Sequence, residues 1–114
     1  MYDIRLSKEF NKEFVRLQNK SEAGYKEEKY IVDLISRATA VLAQDKEAGS
    51  KIPRNLWPKE YIQKYNITNL WKYKLDNYWR LIYTISNNEI SFFLVYIEFL
   101  DHTEYNRRFK YKGK

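Results

Sequence analysis

The 114-residue chain has no cysteine, one histidine, three glycines and two prolines. Without a thiol there is no disulfide framework and no thiolate metal site. A single imidazole excludes a multi-histidine metal cluster. So little glycine and proline excludes collagen-like, linker-like and low-complexity chains. Long apolar runs are missing too. Stretches without charge, such as Ile90–Ile97, run to eight residues, against roughly 20 for a membrane helix. No basic, then apolar, then small-residue order opens the chain, and there is no glycine-rich phosphate loop, GxSxG elbow or HExxH. These absences predict a soluble, cytoplasmic protein, with residues 1–114 forming one domain and no cofactor or metal.

What the chain does have is aromatic and basic. Eleven tyrosines, six phenylalanines and three tryptophans, with 44% hydrophobic residues overall, suffice for one core. The net charge of +6 is unevenly placed. Residues 1–50 carry nine cations and nine anions, so the whole excess lies in residues 51–114. The last ten residues hold five cations and no anion. A basic half rich in tyrosine and tryptophan suits phosphate contact and base stacking.

Periodicity divides the chain into elements. Tyr2, Ile4 and Leu6 alternate with Asp3 and Arg5, the pattern of a half-buried strand. Ser7 is placed to cap a helix whose face carries Phe10, Phe14 and Leu17. A break is expected at Asn19–Ser21. A second helix, starting near Ser21 or Glu22, carries Tyr30, Ile31, Leu34, Ile35, Ala38, Val41 and Leu42, with Gly49 as its stop. Pro53 and Pro58 make Ser50–Ile67 an ordered loop with a short helix after Pro58. Three strands follow: Leu70–Leu75, Trp79–Ile85 and the apolar Ile90–Leu100. Asp76-Asn77 and Asn87-Asn88 mark the turns between them. Asp101 is placed to open a short C-terminal helix. The predicted class is α+β, with an N-terminal strand and a helical hairpin covering one face of an antiparallel sheet. The other face is left partly open. If Trp71, Tyr73 and Leu75 meet the helices, Lys72, Lys74 and Arg80 lie on that opposite surface, subject to a register that the sequence leaves undetermined.

One phosphoryl-transfer chemistry needs neither metal nor thiol. In RNA the 2′-hydroxyl can attack its own phosphate, and a protein need only orient it, offset the extra negative charge and move protons. Residues of suitable type are Lys72, Lys74 and Arg80 on strands, His102, Tyr105, Arg107 and Arg108 beyond the last strand, and Lys51 and Arg54 in the loop. Each has a bland counterpart: solvated edge lysines, an arginine in a structural ion pair, a turn histidine, a core tyrosine. The tryptophans Trp57, Trp71 and Trp79 read as core.

The stretch LWKYKLDNYWRLIYTISNNEISFFLVYIEFLDHTEY resembles the C-terminal half of RelE/ParE superfamily toxins of type II toxin–antitoxin systems. KL-DNYWRLIYTI corresponds to their Lys/Leu strand, tight turn and YR-[LV]-I-Y strand. LVYIEFLDHTEY corresponds to their long apolar strand ending in a GHR-x-x-x-Y-like signature. The resemblance implies a RelE-like fold and a cognate antitoxin in a hetero-oligomer. It also implies metal-independent cleavage of ribosome-bound mRNA. By position it implies Arg80 as the phosphorane-stabilising arginine, Tyr105 as the C-terminal tyrosine and His102 as a proton carrier. Lys51, Arg54, Lys72, Lys74, Arg107 and Arg108 are expected to supply RNA-binding charge, without a one-to-one match to the family's basic residues. Thr103 stands where the family signature has arginine, with Arg107 and Arg108 about a turn further on. The ParE branch shares the fold and instead inhibits a type II topoisomerase such as DNA gyrase. A plain RNA-binding domain without toxicity is the third expectation.

Overall fold

The computed structural model describes residues 3–87 and 89–97. In chain order they form β1 (Asp3–Leu6), α1 (Lys8–Glu22), α2 (Lys26–Gln44), β2 (Ser50–Lys51), a 3-10 turn (Arg54–Leu56), α3 (Lys59–Tyr65), β3 (Trp71–Lys74), β4 (Trp79–Ser86) and β5 (Glu89–Ile97). The expected C-terminal helix, with the strand end at residues 98–100, lies outside the described residues.

Ser7 joins the first strand to the first helix as its chemistry suggests. Its Oγ accepts from the Phe10 amide at 3.1 Å, satisfying one of the donors that a helix start leaves without a partner. The break between the helices falls later than Asn19–Ser21. The amides of Ala23 and Gly24 donate to the carbonyls of Asn19 and Ser21, closing a last turn. Gly24, at φ +97°, then reverses the chain in a region costly for other residues. The second helix ends at Gln44, not at Gly49. Gly49 serves a close approach instead: a Cβ there would lie 2.4 Å from the Lys72 carbonyl oxygen and 2.7 Å from the Tyr83 hydroxyl.

The five strands lie in the order β1-β5-β4-β3-β2. The sheet is mixed, which corrects the antiparallel expectation. β2, β3, β4 and β5 pair antiparallel in succession, whereas β1 pairs parallel with β5. Tight hairpins impose antiparallel pairing only on the strands they join. β1 reaches its edge through the helical hairpin, so no such turn sets its direction. β2 is a second correction: two residues inside the expected loop pair with Trp71 and Lys72, too short a strand to show a period.

Two apolar clusters sandwich this sheet. On one face α1 and α2 bury Phe10, Leu17, Ile31, Ile35, Ala38 and Leu42 against Leu81, Tyr83, Ile90 and Phe92, with Trp71, Tyr73, Leu75 and Trp79 packed around them. The Phe10 and Phe92 rings meet edge to face at 5.6 Å. On the other face Ile52, Trp57, Tyr61, Ile67 and Leu70 close over Ile82 and Phe93. That face is therefore partly covered by the Pro-bearing segment. β5 accommodates both covers with a bulge: Ile82 pairs with Leu94 while Tyr83 pairs with Phe92, so Phe93 is the extra residue. Trp57 is buried, and Trp71 and Trp79 are half-buried against the first core.

The short second cover is tied down by polar contacts. The Trp57 indole N–H donates to the Ile52 carbonyl at 2.8 Å. Glu9 on α1 accepts from Lys64 and, at 2.5 Å, from the Tyr65 hydroxyl on α3. Tyr65 also stacks on Phe93 at 4.4 Å. Among the described residues no helix is long and apolar enough to cross a membrane.

Two outcomes follow for stability. Gly49→Ala forces β2 away from β3 and should cost about 1–3 kcal/mol, the range for overpacking, in chemical denaturation. Hydrogen bonds from Lys64 and Tyr65 hold the Glu9 carboxyl down to about 2, from its ordinary 4.5. The folded state thus resists protonation of Glu9. Its contribution is complete above pH 4.5 and is lost as pH falls towards 2. Glu9→Gln should flatten the pH dependence of the melting temperature across that window. An unchanged slope would rule out this linkage.

Candidate functional site

The site grows from the turn between β3 and β4, where Asp76 sits as the turn signal predicts. One carboxylate oxygen accepts from the Tyr78 and Trp79 amides, each at 2.8 Å, a side-chain mimic of a backbone turn. The other accepts from the Tyr30 hydroxyl of α2 at 2.6 Å. Burial by itself raises the pKa of Asp76. The bonds from Tyr30, Tyr78 and Trp79, with the nearby Arg80 charge, outweigh it and hold the carboxyl below its usual range.

Arg80 leaves this turn half-buried. Its Nη1 donates to the Asp76 carbonyl at 2.8 Å and to the Trp79 carbonyl at 3.2 Å. The guanidinium is thus oriented by the backbone of its own turn. The register then settles what the sequence left undetermined. Lys74 pairs with Arg80, and Lys72 with Ile82. Side chains directly opposite each other across a ladder share a face, with Cβ atoms about 4.5–5.5 Å apart. Trp71, Tyr73, Leu81 and Tyr83 pack against the hairpin core, so alternation puts Lys72, Lys74 and Arg80 together on the opposite face. They occupy the part of that face nearest the β3–β4 turn.

Lys51 and Arg54 do not join this group. Lys51 pairs with Trp71, which puts it on the hairpin side of the edge strand, and its Nζ lies 6.0 Å from the Trp71 ring. Arg54 lies over the Trp57 ring, its guanidinium carbon 5.1 Å from the centroid. His102, Tyr105, Arg107 and Arg108 lie outside the described residues, as does Thr103. Tyr96 pairs with Arg80 and Ile97 with Trp79, and His102 stands five residues after Ile97 in the chain.

Sequence reasoning recognised Asp76 as a turn residue and missed it as the anchor of the loop that aims Arg80. The Asp-Asn turn signal was there to suggest it. Nothing local marks its partner Tyr30, 46 residues away.

Two basic-aromatic groupings thus lie on one small domain: Lys72, Lys74 and Arg80 on the sheet, and Lys51 and Arg54 at its β2 edge. No protein-family model, curated protein or solved structure matches this chain.

The Asp76 anchor yields a direct check. Asp76→Ala strips an acceptor from two amides and one hydroxyl, and should cost about 1–3 kcal/mol, the usual penalty for polar groups that lose a partner. Tyr30→Phe removes only the bond from α2 to the turn and should cost about 0.5–1.5 kcal/mol. Urea denaturation of the two variants measures both, and equal costs would contradict the division of labour assigned to the two carboxylate oxygens.

Proposed function

We propose that this protein is the RelE-like toxin of a type II toxin–antitoxin system, cleaving ribosome-bound mRNA without a metal. The observation that carries the reading is the register. It sets Lys74 opposite Arg80, with Lys72 on the same strand and face, and brings Tyr96 of β5 beside Arg80. A helical hairpin packed on one sheet face, with cations on the other, also agrees with the architecture implied by the resemblance over Leu70–Phe109.

In the proposed reaction the 2′-oxygen attacks the adjacent phosphorus, its proton passing to a base. The bond to the 5′-oxygen breaks as that oxygen receives a proton. The products are a 2′,3′-cyclic phosphate and a 5′-hydroxyl. The phosphorane carries one more negative charge than the diester it comes from. Arg80, with Lys72 and Lys74, supplies the offsetting positive field, and its planar donor fork matches phosphate oxygens. Tyr105 and His102 are assigned the proton transfers, with Arg107 and Arg108 as further phosphate contacts. The partner is a cognate antitoxin, an acidic or amphipathic segment that folds over the basic surface.

A ParE-like reading, in which the chain grips a protein target such as DNA gyrase and cuts nothing, draws on two observations. Thr103 replaces the signature arginine, and Arg80 is hydrogen-bonded to carbonyls of its own turn, as a structural arginine would be.

Inducible expression with primer extension on cellular transcripts separates the two. The nuclease reading expects new 5′ ends within coding regions during growth arrest. Arg80→Ala or Tyr105→Phe should lower cleavage about 100-fold or more, the scale of a lost acid–base or charge-stabilising group, with circular dichroism unchanged. Growth arrest with intact transcripts and altered plasmid supercoiling would establish the ParE-like reading instead.

A further inference from the structure

At the β2 edge of the sheet, Lys51, Ile52, Pro53, Arg54, Trp57 and Thr68 line an open groove of about 390 Å³, a size within the range of small-ligand sites. Its walls are stiff for reasons already described. The Ile52 amide donates to the Leu70 carbonyl at 2.8 Å, and the Ile52 carbonyl accepts from the buried Trp57 indole. Pro53 and Pro58 bracket the 3-10 turn and restrict its backbone.

Some cations of the domain are tied to carboxylates, and the two in this groove are among those that are not. Arg5, Arg16, Lys29 and Lys64 each pair with a carboxylate. Lys51 and Arg54 pair with none among the described residues. Both are exposed, yet each is held against an indole, Arg54 over Trp57 and Lys51 near Trp71. Stacking on a ring fixes the plane of a guanidinium and leaves its N–H groups directed around the rim of that plane. Thr68 adds a hydroxyl, and Pro53 adds apolar surface. A fixed fork, a second cation on the other side of the edge strand, a hydroxyl and a small apolar wall form the chemistry of a site for two successive phosphates and a nucleoside between them.

Building on the RNA reading above, we infer that this groove binds single-stranded RNA at a second position, outside the reacting centre. Arg54 grips one backbone phosphate and Lys51, on the hairpin side of the edge strand, meets the next, while the neighbouring sugar and base rest on Pro53. β2 is hydrogen-bonded to β3, with Ser50 beside Lys72. A strand lying across Lys72, Lys74 and Arg80 therefore reaches the groove by crossing the sheet edge. The groove is a positioning site. It holds the chain of the substrate and takes no part in proton transfer.

The test uses the full chain and a fluorescein-labelled 2′-O-methyl oligoribonucleotide of 12 nucleotides, which has no 2′-hydroxyl to react. Anisotropy is read from 50 to 300 mM salt. Lys51→Ala with Arg54→Ala should weaken binding about 10-fold, and should lower the salt slope by about 1.4, at roughly 0.7 per lost phosphate contact on a single strand. Arg54→Lys should keep the slope and bind several-fold more weakly than the parent. Thr68→Glu, which leaves Trp57 untouched, should also weaken binding. Melting temperatures of all variants confirm folding.

Parental affinity and slope in both the double variant and Thr68→Glu would overturn the groove while leaving the Arg80 site standing. Full affinity in Arg54→Lys would overturn the stacked fork. If the parent ignores this RNA and instead binds poly-glutamate through Lys51 and Arg54, the groove docks an acidic protein segment and the inference fails. Loss of cleavage in Arg80→Ala is measured separately by primer extension, so the two sites can fail independently.

Discussion

Leu81, Ile82 and Tyr83 are consecutive residues of one strand and all are fully buried. Neighbours along a strand point to opposite faces, so this burial requires cover on both sides of β4. The helical hairpin covers one side with a broad aliphatic and aromatic surface. The other side is covered by a three-residue turn and a seven-residue helix, elements too short to stand alone. The rest of the structure follows from this imbalance. The lesser cover needs individual anchors, and it protects only the part of its face around Ile82 and Phe93. The remainder of that face, towards the β3–β4 turn, is where the lysines and Arg80 lie.

The anchors are polar groups working at the borders of apolar clusters. The Tyr83 ring belongs to the hairpin core, while its hydroxyl accepts from the Gly49 amide at 3.2 Å and donates to the Lys46 carbonyl at 2.9 Å. Burial is the main reason its pKa is pushed up to about 12, so it stays neutral and holds both bonds throughout the physiological range. Asn69 does similar work between strands. Its side chain accepts from the Ile85 amide at 2.8 Å and from the Trp71 indole at 3.2 Å. Each group would be expensive to bury alone, and each is satisfied. The basic face is consequently carried on a frame with few loose joints, which is what charge stabilisation in the proposed cleavage demands.

That frame also separates the cations by role. Arg80 is oriented by carbonyls of a turn that Asp76 and Tyr30 hold from the hairpin side. Arg54 and Lys51 are oriented by indoles at the far edge. Both arrangements restrict long side chains that otherwise lose much conformational freedom on binding a phosphate. Attraction for an extended polyanion is then spread over two preorganised points with a sheet edge between them, as the proposed RNA substrate would require.

Much of this was legible locally. Ser7, the helical stripes, the Asp76 turn and the alternation of β3 and β4 rest on contacts within a few residues, where residue type and spacing suffice. The shared face of Lys72, Lys74 and Arg80 was stated conditionally, because alternation assigns faces within a strand but not between strands. Register supplied the missing step. The parallel β1, the two-residue β2, the cover over Ile82 and the separation of Lys51 and Arg54 from the sheet cations left no local trace. They depend on pairings between Ile4 and Ile90, Lys51 and Trp71, or Phe93 and Tyr65. Amino-acid order alone determined which segments curl or extend, and which side chains each could bury. Tertiary structure decided which charges meet, because the contacts that bring them together are long-range, and their free energy appears only when the whole core closes.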